Sequence, residues 1–120
     1  MADAESRRTF LVAEDEAMIA MLLEDILDAA GHDVAAVVDS NADAMAALER
    51  GGVDAAILDI NLSDGESWAL AAHLQQQGIP FLIASGDSAV TPPDGMAPVK
   101  MLAKPFSLAS LEDAITGLDG

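Results

Sequence analysis

Residues 55–65 read AAILDINLSDG, an apolar run that leads directly into acidic residues and a glycine. The unbroken run predicts a strand over Asp54–Leu58 that is covered on both faces, as in a parallel sheet. Asp59 is the first residue after this strand, and Gly65 then turns the chain toward a helix. Taken alone, an aspartate in this place is more often a turn residue than a reactive group. The other strand ends of the chain decide between these two interpretations.

Four further apolar runs alternate with helical patterns. They predict strands over Thr9–Ala13, Val34–Val38, Phe81–Ala84 and Val99–Leu102. The first predicted helix has an apolar face of Met18, Met21, Leu22, Ile26 and Ala29. The second covers Asn41–Arg50, and Ser40 with Asp43 resembles a capping box at its start. The third covers roughly Glu66–Gln77 and is stopped by Gly78, and the last begins at the N-cap Ser107. Because alternating strands and helices imply right-handed crossovers, we predict an α/β fold with a doubly wound, five-stranded parallel sheet.

The segment 86–98, GDSAVTPPDGMAP, interrupts this alternation. Its prolines and glycines leave little room for the helix that should connect the fourth and fifth strands. We therefore expect the fourth helix to be short or disordered, in the form of a single turn or a loop.

The composition indicates one acidic domain. The chain has 120 residues, 52% of them hydrophobic, and 21 acidic against 5 basic residues give a formal net charge of -16. We expect a single domain over residues 1–120 with an N-terminal tail over residues 1–7. The negative charge disfavours binding to nucleic acid or to an anionic membrane. Cysteine is absent and no stretch resembles a leader peptide or a membrane span, so a cytoplasmic location is expected.

Acidic residues follow two strands that a 2-1-3-4-5 strand order would place side by side. Glu14 and Asp15 follow the first strand, and Asp59 follows the third. In such a sheet, ligands collect at the carboxyl ends of the strands where the strand order reverses. Converging carboxylates repel one another unless they hold protons or a cation, and hard oxygen ligands suit Mg²⁺. The plainer interpretation of Glu14 and Asp15 is a helix N-terminus stabilised by the helix dipole.

Two more residues at strand ends complete a set that suits phosphoryl transfer. Ser85 follows the fourth strand and Lys104 follows the fifth. A carboxylate such as Asp59 can attack phosphorus and form an acyl phosphate, with Mg²⁺, a hydroxyl and an ammonium group holding the phosphoryl oxygens. Ser85 alone would be an ordinary turn residue and Lys104 an ordinary surface residue. Their joint occurrence with the carboxylates favours a site.

The segments LVAEDE, ILDINLSDG, IASG and MLAKPF, in this order and spacing, resemble the receiver (CheY-like) domain of two-component response regulators. The resemblance covers essentially the whole chain and implies a flavodoxin-like sheet with strand order 2-1-3-4-5. It also implies that Asp59 accepts a phosphoryl group from a phosphohistidine and loses it slowly by autodephosphorylation. The donor would be a sensor histidine kinase or a histidine phosphotransfer protein, and the output would be a contact with a downstream protein.

The resemblance also assigns roles to the residues around the acceptor. Asp15 and the backbone carbonyl of Asn61 would ligate Mg²⁺ together with Asp59, and Glu14 would help to hold the ion. Ser85 would bind the phosphoryl group, and Lys104 would pair with it.

Four positions depart from the usual receiver pattern. Glu14 stands where most receivers have aspartate. Ser63 stands where a proline is common, Ser67 where a glycine is frequent, and Met101 where an aromatic switch residue is typical. In lacking this aromatic residue, the chain is similar to a divergent group of stand-alone receivers.

Two other functions stay open. A pseudo-receiver would act as a phosphorylation-independent interaction module, and it is disfavoured because all the required site residues are present. A phosphatase with a carboxylate nucleophile needs a second aspartate two residues after the first, and Asn61 occupies that position.

The remaining aromatic and imidazole side chains carry no motif. Trp68 is predicted to be structural. His32 and His73 lack the spacing of metal ligands and are predicted to lie on the surface.

Overall fold

The predicted strands pair in parallel in the computed structural model of the protein, which describes residues 7–85, 92–97, 99–103 and 107–118. In chain order the strands are β1 (Thr9–Ala13), β2 (Asp33–Val38), β3 (Ala55–Asp59), β4 (Asn61–Leu62), β5 (Gly65–Glu66), β6 (Phe81–Ser85) and β7 (Lys100–Ala103). The five longer strands form one sheet in the order β2-β1-β3-β6-β7. This is the predicted order 2-1-3-4-5, because the two-residue strands β4 and β5 form a separate antiparallel hairpin.

Four helices connect or follow these strands in the described part of the chain. They are α1 (Ala17–Ala29), α2 (Asn41–Glu49), α3 (Trp68–Gln77) and α4 (Leu108–Thr116). The predicted N-caps of two helices form as expected. The Ser40 side chain accepts a hydrogen bond from the Asp43 amide at the start of α2, and Ser107 caps α4. Gly78 ends α3 with a φ of 71°, a left-handed conformation that favours glycine.

Two apolar clusters pack on the two faces of the sheet. The alternation of side chains along β1 divides it between them, with Leu11 and Ala13 in one cluster and Phe10 and Val12 in the other. The first cluster includes buried residues of α2 and α3, and the second includes buried residues of α1 and α4. All five residues of β3 are buried, as the unbroken apolar run predicted.

The predicted apolar face of α1 was largely wrong. Met18, Met21 and Leu22 are 84%, 62% and 45% exposed, whereas the buried residues of α1 are Ala20, Leu23, Ile26 and Leu27. The helix is apolar on more than one side, so its periodicity allows two faces. The face that packs on the sheet places Leu23, Ile26 and Leu27 in one cluster with Phe10 and Val12 of β1.

The start of α3 also differs from the prediction. Gly65 and Glu66 pair with the residues of β4, so the helix begins at Trp68 with Ser67 as its N-cap residue. The predicted start at Glu66 was wrong because an isolated two-residue hairpin has no apolar pattern that distinguishes it from the first turn of a helix.

The interrupted segment between β6 and β7 is described only in part, with residues 86–91 and 98 outside the described residues. Residues 92–97 contain a turn in which the Met96 amide donates to the Pro93 carbonyl at 3.3 Å, with Gly95 at a φ of 86°. The Gln75 side chain donates to the Ala97 carbonyl at 3.0 Å and ties this turn to α3. Residues 92–97 form no helix, and the rest of the segment for which a short or disordered helix was expected lies outside the described residues.

The end of the predicted N-terminal tail is attached to the sheet. The Arg7 guanidinium makes a bidentate ion pair with the Asp33 carboxylate at 2.7 and 2.9 Å, and residues 1–6 lie outside the described part. The pair raises the pKa of Arg7 and lowers the pKa of Asp33 through their hydrogen bonds and charges.

None of the helices described is both long enough and apolar enough to span a bilayer.

Candidate functional site

Three carboxylates meet at the carboxyl ends of β1 and β3. One ligand oxygen from each of Glu14, Asp15 and Asp59 lies within 4.8 Å of the others. The two strands are paired in parallel, with Ala13 opposite Leu58, so the residues that follow them or end them lie side by side. Glu14 and Asp59 are buried, at 3% and 9% exposure, whereas Asp15 is exposed. The predicted convergence of these three residues is therefore present.

The local backbone fixes the position of Glu14. Its amide donates to the Val38 carbonyl of β2 at 2.9 Å, which extends the β1–β2 pairing past the end of β1. One of its carboxylate oxygens accepts a hydrogen bond from the Glu16 amide at 3.2 Å. These bonds direct the Glu14 side chain at the strand ends rather than along α1.

The charge of this cluster suits a divalent cation. At a separation of 4.8 Å, two unit charges repel by about 3.5 kcal/mol at an effective dielectric constant near 20. A cation with a preference for oxygen ligands would replace these repulsions by attractions, and the described ligand set contains oxygen only. The residues therefore fit a hard cation such as Mg²⁺.

Ser85 lies beside this cluster as the last residue of β6. Its neighbour Ala84 is the register partner of Asp59, so Ser85 stands one residue beyond the acidic side chain on the adjacent strand. Ser85 is 7% exposed, and it pairs with Ala103 of β7. Lys104 directly follows Ala103 in the sequence. Lys104 and Pro105 lie outside the described residues.

The chain beyond Asp59 closes into a compact loop held by Ser67. The Ser67 hydroxyl donates to the Asp59 carbonyl at 2.7 Å, and the Ser67 amide donates to the Ile60 carbonyl at 2.8 Å. Ser67 is fully buried. Sequence reasoning noted Ser67 only as a departure from glycine and missed this contact, although a serine directly before a helix signals a side chain that bonds to backbone. Asn61 lies inside this loop, in β4, with its side chain exposed.

Asp64 ties the same loop to α2, and this contact was also missed. Its carboxylate accepts hydrogen bonds from the Asn41 amide at 2.7 Å and the Ala42 amide at 3.1 Å. These backbone bonds, chiefly the one from Asn41, lower the pKa of Asp64. An aspartate before a glycine signals a turn, but its partner, which is 23 residues earlier in the chain, has no sequence signal.

A cleft of about 450 Å³ opens beside the carboxylates, between α1 and the carboxyl end of β2. Its lining includes Glu14, Asp15, Met21 and Val37. Met18 and Leu22 are the other large apolar residues of α1 that are exposed, and they are not among the residues that line the cleft. The site therefore has an apolar margin on the α1 side.

Met101 occupies the predicted switch position in β7. It is 38% exposed and pairs with Ile83 of β6, so the aromatic side chain usual at this place is replaced by a flexible aliphatic one.

Trp68, His32 and His73 do not belong to the carboxylate cluster of the described residues. Trp68 is half-buried and packs against the apolar cluster that contains α2 and α3, as the structural interpretation predicted. His32 and His73 are both half-buried, so the predicted surface positions are only partly exposed. The His32 Nδ1 atom accepts a hydrogen bond from the Arg8 amide at 3.1 Å, and the His32 ring meets that of Phe10 edge-on at 5.1 Å. Burial and the Arg8 charge lower the pKa of His32.

The sheet order and the acidic cluster define a class of signalling domain. Residues 10–116 match the family model described as the response regulator receiver domain. The chain therefore belongs to the receiver domain family of two-component response regulators, and the resemblance drawn from its sequence is confirmed.

Relatives and solved structures agree with this assignment. The transcriptional regulatory protein TcrA of Mycobacterium tuberculosis is 36% identical over 107 residues, which make up 84% of this chain and 42% of that protein. The chain thus spans less than half the length of this curated relative. The solution structure of SdrG from Sphingomonas melonis is 38% identical, with a TM-score of 0.79 and 98% coverage of both chains. A response regulator receiver protein from Sinorhizobium medicae is 29% identical, with a TM-score of 0.83 and 96% coverage of both chains.

Proposed function

We propose that this receiver accepts a phosphoryl group on Asp59 in a Mg²⁺-dependent reaction and signals through contacts with another protein. The observation that carries the proposal is the convergence of Glu14, Asp15 and Asp59, whose oxygens lie within 4.8 Å of one another at the ends of two adjacent strands. A purely structural surface has no need of three like charges at this separation, two of them on buried residues.

The carboxylates would hold Mg²⁺ together with the backbone carbonyl of Asn61. Asp15 and Asp59 would be direct ligands, and Glu14 would help to hold the ion. When bound, Mg²⁺ neutralises the carboxylates and orients the phosphoryl oxygens for in-line attack.

The chemical step uses the chain's own carboxylate as nucleophile. An Asp59 oxygen attacks the phosphorus of a phosphohistidine, the P–N bond breaks, and the imidazole leaves with its electron pair and takes up a proton. The Ser85 hydroxyl would donate a hydrogen bond to the transferred group, and the Lys104 ammonium would balance its charge. Slow attack of water on the acyl phosphate would then return the carboxylate and release inorganic phosphate.

The phosphohistidine donor would be a sensor histidine kinase or a histidine phosphotransfer protein, docked on the exposed side of α1. Met18 and Met21 are 84% and 62% exposed, and Met21 lines the cleft that also contains Glu14 and Asp15. A donor helix with apolar residues and a basic rim would cover this face and complement the negative charge of the chain. Its histidine would then reach Asp59 beside Glu14 and Asp15, which line the cleft.

Phosphorylation by a small donor tests the acceptor. We expect the intact mass of the wild type to increase by one phosphoryl group with acetyl phosphate and Mg²⁺, and not when EDTA replaces Mg²⁺. Asp59→Asn should gain nothing, whereas Glu49→Gln, which removes an equal charge at the far end of α2, should behave as the wild type. A gain that persists in Asp59→Asn contradicts the acceptor assignment. A wild type that gains no phosphate from acetyl phosphate or from a phosphorylated phosphotransfer protein favours the pseudo-receiver.

Comparison of two donors tests the docking surface. Met21→Ser should slow phosphoryl transfer from a histidine phosphotransfer protein but leave phosphorylation by acetyl phosphate unchanged, because the small donor needs no docking surface. Met101→Ser is the matched control. Met101 is an exposed methionine on β7, the edge strand at the other end of the sheet from β2, and its change should affect neither reaction. Equal rates for Met21→Ser and the wild type with the protein donor would contradict the α1 assignment.

A further inference from the structure

The side chain of Asn41, the first residue of α2, contacts the hairpin of β4 and β5 that follows the acceptor at several points. The Asn41 Nδ2 atom lies within hydrogen-bond distance of three acceptors: an Asp64 carboxylate oxygen at 3.1 Å and the carbonyls of Gly65 and Glu66, each at 3.2 Å. All three acceptors belong to the hairpin, so the donor end of the amide must face it.

Three more hydrogen bonds complete this attachment. The Asp64 carboxylate accepts from the amides of Asn41 and Ala42, and the Ser63 amide donates to the Asp39 carbonyl at 2.8 Å. The turn of the hairpin is therefore held against the β2–α2 connection from both directions.

The attachment reaches Asn61 through the pairing of the hairpin. In the antiparallel register Asn61 lies opposite Glu66, and Leu62 lies opposite Gly65. The carbonyls that Asn41 holds thus belong to the two residues that pair with β4. A shift of β5 would move β4, because two-residue strands have few other bonds to keep their register.

We propose that Asn41 and Asp64 are positioning residues that present the Asn61 carbonyl to the metal ion, an inference that rests on the proposed Mg²⁺ site. Neither side chain needs to touch the ion. Their contribution is to keep the hairpin from relaxing when the ion is absent, so that the binding free energy is not spent on ordering the loop.

A simpler role for the same contacts is to cap α2, and the two roles can be separated. The amides of the first turn of α2 have different partners: Asp64 accepts from Asn41 and Ala42, whereas the Ser40 side chain accepts from Asp43. Ser40→Ala removes a cap bond without touching the hairpin. Asn41→Ala removes the side-chain bonds to the hairpin but leaves its own amide free to donate to Asp64.

Titration of the protein with Mg²⁺, followed by calorimetry or by amide chemical shifts, tests the inference. We expect Asn41→Ala and Asp64→Asn to bind Mg²⁺ about tenfold more weakly than the wild type. Loss of a residue that orients a metal ligand typically reduces metal affinity by about this factor. Ser40→Ala and Glu49→Gln should bind Mg²⁺ as the wild type does, although Ser40→Ala lowers the unfolding midpoint in urea. The urea curves also establish that each variant is folded at the start of the titration.

The outcomes separate this inference from the proposed function. A wild type that does not bind Mg²⁺ contradicts the metal site itself and the inference with it. A wild type that binds Mg²⁺, with Asn41→Ala equal to it, overturns the inference alone. Equal weakening in Asn41→Ala and Ser40→Ala also overturns it, because the effect would then be general destabilisation of α2.

Discussion

The hydrogen bond from Ser67 to the acceptor's backbone predicts a specific loss of stability in Ser67→Ala. The Ser67 hydroxyl donates to the Asp59 carbonyl at 2.7 Å, and Ser67 is fully buried. Alanine fits the space and removes only the hydroxyl. The backbone bonds of residue 67, to Ile60 and from Ala71, do not depend on the side chain and should remain.

The expected cost follows from leaving a buried carbonyl without this donor. Removal of one partner from a buried hydrogen bond lowers the free energy of unfolding by about 1–3 kcal/mol. For a domain of this size, each kcal/mol corresponds to a decrease in the melting temperature of about 4 °C. The smaller values apply if water enters the space, and the larger ones if it does not.

Equilibrium unfolding in urea measures this cost directly. Ser63→Ala is the matched control, because Ser63 is exposed and its described bond uses the backbone amide, so its free energy of unfolding should stay within about 0.5 kcal/mol of the wild type. The denaturant slope should be the same for all three proteins, since the surface exposed on unfolding does not change. If Ser67→Ala unfolds at the same urea concentration as Ser63→Ala, the hydroxyl does not hold the loop and the reasoning is refuted.

Three further predictions concern metal, pH and backbone. Mg²⁺ at about 100 times its dissociation constant should raise the free energy of unfolding of the wild type by about 2.7 kcal/mol over that in EDTA. The increase in Asp59→Asn should be much smaller. Equal increases for the two proteins in urea titrations would argue against the metal site. Burial and the Arg8 charge lower the pKa of His32 in the folded protein. The contribution of neutral His32 to stability is therefore complete above the ordinary histidine pKa of about 6.5, and it is lost as the pH falls through the lower pKa of the folded state. His32→Gln should therefore flatten the dependence of the unfolding free energy on pH in this range, and an unchanged pH profile would show that His32 does not cause it. Gly78→Ala should lower the free energy of unfolding by about 1–2 kcal/mol, because Gly78 has a φ of 71° with open space around it; a melting temperature equal to that of the wild type would exclude this strain.

Much of the fold could be predicted because its signals are local. Each strand of the main sheet is a short apolar run bounded by polar or turn residues, and the structure moves the predicted bounds by one residue at most. The cap at Ser40 and the helix end at Gly78 were also predicted, since capping depends on a few neighbouring residues.

The face of α1 could not be predicted, because its pattern is degenerate. Met18, Met21 and Leu22 are as apolar as the buried Leu23 and Leu27, and a helical period fits either set. The choice depends on the fit of the helix to the sheet, which no single helix encodes.

The strand ends of the candidate site were determined by the sequence itself. Once the strand order is known, parallel strands bring Glu14, Asp15 and Asp59 to the same edge of the sheet, and no detail of side-chain packing is needed. The contacts of Asn41 with Asp64 were decided only by the tertiary structure. These residues are 23 positions apart and belong to different connections, so their meeting depends on the register of a two-residue hairpin against a helix start. Local patterns predict where a strand ends, but only the folded chain decides which side chains then hold the loop that follows.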